Sequence, residues 1–446
     1  MTSRKDTPAS SGSTDPHVVP DGHVASDSSK LKTLMNILKQ TLGVKDLASL
    51  CPNLEYWNYQ DRADFFVSIG DFEDPMDRML ATVRFTISTE LKFAGGRVCK
   101  PYNSILGEHF RCHWDARALK RDGGRDVLPQ AALETPTPTP LPLFASGAAD
   151  VPQQDGPMRV VYLTEQVSHH PPVSSYYYGC PAAGIYMVGV DQLSARFTGT
   201  SVRIYPGSMN KGMFVHLCPG VRTQSASGEQ YRITHPTGAI FGLFRGSFWP
   251  AVTDVATVTC TPAPGSASEP LRALIEYKEE GWLSRPKHAV EGCIYRYEPG
   301  GPSESYRSMR EVPKDCIRAH LQGNWRGLVT WRRPGEDTAQ PLVNMADLAL
   351  YPREVRPVAS QDPYESHRVW ESVTNAITGR DYGRATREKQ AIEQEQREIA
   401  SRREKAGTSY VPRFFVSGLD NGQPQLTPEG CAAVEGELRL DGYAGD

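Results

Sequence analysis

The chain has 446 residues, 39% of them hydrophobic, with 49 basic and 52 acidic side chains for a formal net charge of -3. That balance permits a sizeable core and argues against a dedicated nucleic-acid binder. Nine cysteines without a C-x-x-C pair exclude a disulfide framework or zinc site as the organising feature. The chain also lacks a basic-then-apolar leader and any apolar run of roughly 18 residues, so a cytoplasmic protein of a reducing compartment is expected.

Residues 1–28 are rich in Ser, Thr, Asp, Pro and Gly and read as a disordered tail. Over 29–43 the pattern changes. Leu31, Leu34, Met35, Leu38 and Leu42 recur at helical spacing with Lys30, Lys32 and Lys39 between them, which predicts a short amphipathic helix. Such a helix is either an ordinary packed surface element or a movable lid able to meet a membrane surface. A second helix is expected over 74–85, with Met76, Met79, Leu80 and Val83 on one side. A polar stretch follows, Lys100-Pro101-Tyr102-Asn103-Ser104-Ile105-Leu106-Gly107-Glu108. Its Pro and Gly fix the backbone while Lys100 and Asn103 stay available to solvent or to a ligand.

Residues 116–157 hold a charged piece and the alternating Thr135-Pro136-Thr137-Pro138-Thr139-Pro140 run, which favours polyproline II. They read as a surface insertion between strands. From Met158 to about Trp331 the chain is almost entirely β in pattern. Strands are expected at 158–163, 174–178, 185–190, 195–205, 213–217, 230–234, 239–248, 252–260, 271–277 and 289–297. So many strands without intervening helices imply an antiparallel meander that curls towards a barrel.

Within this run lies Glu165-Gln166-Val167-Ser168-His169-His170-Pro171-Pro172. The prolines end the extended run and stiffen its exit, placing two imidazoles on the rim of a sheet. On an extended chain adjacent side chains point to opposite sides, so the pair chelates one metal poorly. Two rigid imidazoles suit a phosphate; equally they are two exposed turn residues. The last third turns helical, over 365–378 and 381–405. Lys389, Glu393 and Arg397 recur every four residues and share a face; Ala385, Ile392 and Ile399 form a narrow apolar stripe. Opposite charges four apart support a helix by roughly 0.2–0.5 kcal/mol per pair, which alone would account for the ladder. Residues 417–446 read as a loose acidic tail.

Catalytic signatures do not emerge. G-x-S-x-G, G-x-G-x-x-G and H-E-x-x-H are absent. Gly207 and Gly212 have phosphate-loop spacing, but Met213 stands where such a loop needs Lys. A non-enzyme is expected.

The octapeptide from Glu165 to Pro172 resembles the fingerprint of the oxysterol-binding-protein-related lipid transfer proteins. Lys100 to Glu108 is similar to that family's K-P-x-N-P-x-L-G-E segment, with Ser104 in place of Pro. Trp370 onward to Arg397 is similar to its C-terminal helix, and Pro412-Arg413-Phe414-Phe415 to its closing P-R-[WF]-F. The resemblance implies a lipid-binding domain over 29–416, mainly β. It would be a large, near-complete antiparallel barrel around a lipid tunnel, with a lid at 29–43 and a helical part at about 362–406. It implies exchange of phosphatidylinositol 4-phosphate for a sterol, or for phosphatidylserine, at membranes or membrane contact sites. The alternative is a lipid sensor without transport. No cofactor is implied, and a monomer in peripheral contact with membranes is expected.

Carried onto this chain, the resemblance puts His169, His170 and Arg397 at the 4-phosphate. Lys100, Asn103 and Lys389 would meet the other phosphate and inositol hydroxyls, and Glu393 would accept from a hydroxyl. Leu31, Leu34, Met35 and Leu38 belong to the lid. Two departures stand out. The segment after the lid, about 44–53, is shortened, and no pleckstrin-homology domain or other targeting module is evident.

Overall fold

The helix α1 (Ala63–Val67) and the longer α2 (Pro75–Ser88) open the described chain, followed by one turn, α3 (Leu91–Ala94). Asp74 caps α2, accepting from the Met76 N–H at 2.6 Å, and Pro75 occupies the first turn, where no N–H is needed. Met76, Met79, Leu80 and Val83, which the spacing over 74–85 puts on one side, are buried, and so are Phe85 and Ile87. The computed structural model describes residues 59–94, 102–117, 119, 121–122, 125–126, 157–198, 201–221, 226–241, 249–279, 287–416 and 420–440. The lid positions Leu31, Leu34, Met35 and Leu38, the segment 44–53, Lys100 and the proline-rich 135–142 lie outside the described residues.

Among the described residues, fifteen strands form one sheet: β1 (His109–Ala116), β2 (Met158–His169), β3 (Pro172–Cys180), β4 (Ile185–Asp191), β5 (Leu193–Phe197), β6 (Val202–Pro206), β7 (Met213–Leu217), β8 (Gln230–Ile233), β9 (Thr237–Phe241), β10 (Trp249–Thr261), β11 (Leu271–Tyr277), β12 (Ala289–Arg296), β13 (Ile317–Asn324), β14 (Leu328–Arg332) and β15 (Gln340–Asn344). Every pairing is antiparallel. The path runs β1-β2-β3-β4-β7-β8-β10-β11-β12-β13-β14-β15. The β-rich meander is thus as expected, though it starts earlier and ends later than 158–331. Residues 195–205, expected as one run, are instead the hairpin β5–β6. It leaves the main path and pairs with β9.

The apolar side chains of α1 and α2 share one core with the strands, including Phe65, Phe66, Trp114, Tyr162, Tyr178 and Tyr231. α1 meets β1 at one end of the sheet path, and α2 meets β15 at the other. Arg78 on α2 is fully buried and makes a two-pronged ion pair with Glu229, which also accepts from the Tyr231 hydroxyl at 2.8 Å. A buried pair of this kind fixes position, because removing either partner strands a charge in the core.

After β15 come α4 (Ser366–Thr378), α5 (Tyr382–Lys405) and α6 (Pro428–Leu438). The third helix corrects the expectation of a loose tail from 417. Thr427 caps α6, and Val434 packs with Val161, Leu163, Phe414 and Phe415 on the outer face of β2. Buried Glu437 receives His113 Nδ1 of β1 at 2.8 Å and Arg356 at 2.9 Å. Gly-rich, acidic composition masked a short helix whose order comes from partners distant in sequence.

Candidate functional site

The β2–β3 hairpin carries the two histidines at its tip. His169 ends β2 and pairs with Pro172, so His170 and Pro171 form the turn, and the peptide between them is cis. The expectation that the two rings point to opposite sides fails here, because alternation holds along a strand and not around a turn. The rings meet edge to face with centroids 4.6 Å apart. His169 is half-buried and His170 exposed. Nδ1 of His169 lies 3.1 Å from the Ser104 carbonyl, which only accepts, so Nδ1 carries the proton of the neutral ring. Burial, and then the neighbouring His170, hold this imidazole below its ordinary value, with the Ser104 bond acting the other way. An arriving anion would reverse that balance and favour the charged ring.

Ser104 sits on the loop 102–108, whose shape one carboxylate dictates. Glu108 is fully buried and accepts from the Ile105 N–H (2.9 Å), the Ser366 hydroxyl (2.8 Å) and the Trp370 indole (3.1 Å). Gly107 donates its N–H to the Gln166 carbonyl at 2.9 Å, tying the same loop to β2. Its φ of 85° favours glycine, and a Cβ there would stand 2.9 Å from the Tyr410 hydroxyl. Tyr102 stacks on Trp370 with centroids 4.6 Å apart. Exposed Asn103 is therefore held on a loop clamped between β2 and α4.

Glu165 has the matching task on the other side of β2. Fully buried, it accepts from the Tyr410 hydroxyl (2.6 Å) and from the backbone N–H groups of Arg413 and Phe414 (2.8 Å each). Sequence reasoning singled out both motifs yet gave these two glutamates no role. The available signal was a carboxylate inside an otherwise apolar or β-patterned stretch, which must find donors if buried.

On α5, Lys389 Nζ lies 3.4 Å from Glu393, and Arg397 Nε donates to Gln394 at 3.1 Å. The three side chains share a face, as the spacing predicts. The loop and the helix also share a small core, in which Ile105, Trp370, Val373 and Ala385 pack with Tyr102 and Ile392. Asn103, Lys389 and Glu393 thus stand on elements packed together. Among the described residues, no hydrogen bond or ion pair joins Lys389, Glu393 or Arg397 to His169 or His170.

A second polar group sits against the main core, and sequence reasoning missed it. The Tyr59 hydroxyl lies 3.1 Å from Asp191, 3.3 Å from His235 Nε2 and 3.4 Å from the Tyr176 hydroxyl. Burial pushes the Asp191 carboxyl up to about 7, with the Tyr59 bond opposing, and pushes His235 down to about 4. Its members come from residues 59, 176, 191 and 235, which no spacing rule connects.

A sequence profile described as oxysterol-binding protein matches residues 46–427. The chain belongs to the oxysterol-binding protein family. Oxysterol-binding protein-like protein 1 of Schizosaccharomyces pombe is 33% identical to this family member over 92% of each chain. Oxysterol-binding protein-related protein 9 of Xenopus tropicalis is 28% identical over 77% of this chain and 39% of its own length. The fold is similar to the Osh1 ORD domain solved with cholesterol (TM-score 0.55, 18% identity, covering 87% of this chain and 82% of that one). It is likewise similar to the Saccharomyces cerevisiae Osh3 ORD solved with PI(4)P (TM-score 0.54, 16% identity, 91% and 94% covered). This oxysterol-binding protein family member is thus a lipid-binding protein of mainly antiparallel β architecture, and none of its helices described here is long and apolar enough to cross a membrane.

Proposed function

We propose that the protein carries one lipid at a time and exchanges phosphatidylinositol 4-phosphate for a sterol between membranes. The observation that carries this reading is the His169–His170 hairpin tip against the Asn103–Ser104 loop. Two imidazoles and an amide, fixed by Glu108 and by the turn, offer donors for phosphate oxygens without further reorganisation. Charge-assisted bonds to phosphate are roughly twice as strong as neutral ones. Lys389, Glu393 and Arg397 would supply the remaining contacts from α5, and Lys100 from the segment before the loop. The PI(4)P and cholesterol with which the similar ORD structures were solved support the same pair of ligands.

The Tyr59–Asp191–His235 group favours a sterol over phosphatidylserine as the second lipid. A sterol has an apolar body and one hydroxyl, and Tyr59 and Tyr176 set this polar group against the apolar core. A phosphoserine head group needs several charged partners.

Extraction of each lipid from liposomes tests both assignments together. His169→Ala with His170→Ala is expected to abolish phosphatidylinositol 4-phosphate extraction and spare sterol. Asp191→Leu is expected to do the reverse. Unchanged phosphoinositide extraction by the histidine variant would overturn the head-group site, and full sterol extraction by Asp191→Leu the sterol assignment.

A further inference from the structure

The sheet forks at β10. This 13-residue strand pairs with β9 through Trp249–Thr253 and with β8 through Val258–Thr261, and between the two partners Thr234 bonds to Thr257. Asp254 stands at the branch with a φ of 74°, a left-handed conformation rare for a residue with a side chain. A cavity of about 520 Å³ opens in the fork. Lys211, Arg232 and Arg307 line it from three different segments, with Asn210, Asp254 and His235.

The three cations lack acidic partners among the described ion pairs. Arg232 spends Nε on the Lys211 carbonyl at 2.8 Å, and among the described residues neither of its Nη atoms has a hydrogen bond. Burial, and then Arg272 and Arg307, hold its guanidinium below the ordinary value, with Glu304 opposing. Like charges are therefore gathered there, with Glu304 and Asp254 as the nearby acidic groups. Asn210 gives an independent sign. Its Oδ1 accepts from the Gly212 N–H at 3.0 Å, but among the described residues its buried Nδ2 has no acceptor. A buried donor without a partner is costly, and an acceptor-bearing ligand would recover that cost. Asp254 accepts from the Thr237 hydroxyl at 3.2 Å and adds one acceptor to the cluster. Gly207 to Gly212, whose phosphate-loop spacing led nowhere as a nucleotide site, includes Asn210 and Lys211 of this wall. A strand, β7, follows it where a nucleotide loop requires a helix.

We propose that this fork is a second anion site, distinct from the histidine hairpin, and that it takes a phosphomonoester bearing hydroxyls. Three cations and the Asn210 amide meet the phosphate, and Asp254 accepts from a hydroxyl. Such a group reaches the cleft either as a soluble polyol phosphate or as an exposed head group on a membrane.

The test titrates the full chain with glycerol 3-phosphate by calorimetry and, in parallel, floats it with phosphatidylcholine vesicles containing lysophosphatidic acid, a phosphomonoester that keeps one free hydroxyl. Three variants accompany the wild type: His169→Ala with His170→Ala, Lys211→Ala with Arg307→Ala, and the near-isosteric Asn210→Asp, which keeps the bond to Gly212. Binding is expected to survive the histidine variant and to fall about tenfold or more in each fork variant. Binding of glycerol 3-phosphate identifies a soluble ligand; flotation alone identifies a head group. Loss in the histidine variant with unchanged binding in the fork variants, or no binding in either assay, would overturn the site.

Discussion

Individual carboxylates decide the geometry of the histidine site. Glu165 gathers three donors from residues 410–414, and Glu108 gathers three from the loop and α4. Both are fully buried. Truncating one leaves two or three donors unpaired in the interior, at about 1–3 kcal/mol each before relaxation. Glu165→Ala is accordingly expected to lower unfolding free energy in urea by about 3 kcal/mol, and Glu165→Gln by less, since its amide oxygen still accepts. A wild-type midpoint for Glu165→Ala would mean that Tyr410 and the Arg413–Phe414 backbone find other acceptors. Both motifs were legible as motifs. That their glutamates hold the structure while their histidines and asparagine remain accessible was not, because five of the six donors are more than 200 residues away.

Helices differ in what holds them. α5 is 24 residues long, yet Ala385 is its single buried residue. Its helicity rests on the Asp381 cap, on arginines and a lysine in its last turn, and on pairs such as Arg384–Glu388 at 3.4 Å. Those features are local, so the sequence revealed the helix. α6 is the contrary case, since its order comes from Val434 against β2 and from Glu437 between His113 and Arg356. Although burial alone would raise it, the His113 hydrogen bond and the Arg356 charge bring the Glu437 carboxyl below its ordinary value. For a depressed carboxyl the stabilisation is present above the unfolded value of about 4.3 and is lost as pH falls through the folded one. Glu437→Gln is expected to lower the thermal midpoint at pH 7 and to narrow its difference from wild type towards pH 3. An equal deficit at both pH values would show that the contact is steric and not ionic.

At the scale of the molecule, the proposed contact of His169 with a phosphate predicts that phosphoinositide binding depends on pH. The free His169 ring is held below its ordinary value, and a bound phosphate would raise it. Between those two values, binding takes up a proton. Affinity for phosphatidylinositol 4-phosphate is therefore expected to fall as pH rises through that interval, towards and beyond about 6.5, while sterol affinity follows a different profile. Liposome extraction of each lipid from pH 5.5 to 8 measures this, and a flat phosphoinositide profile would assign the rings a neutral donor role.

The sequence by itself determined what depends on neighbours along the chain: strand alternation, helix spacing, the turn at Pro171–Pro172 and the four-residue ladder of α5. Motif order also identified the family. Tertiary structure decided what depends on distant partners. It brought Ser104 to His169, turned the two imidazoles towards each other, ordered α6, assembled Tyr59, Asp191 and His235, and opened the fork at Asp254. The reason is that an antiparallel sheet of 15 strands fixes register by cross-strand pairing over long separations. A buried polar group then finds whichever partner that register presents, and no local pattern in the sequence encodes which one.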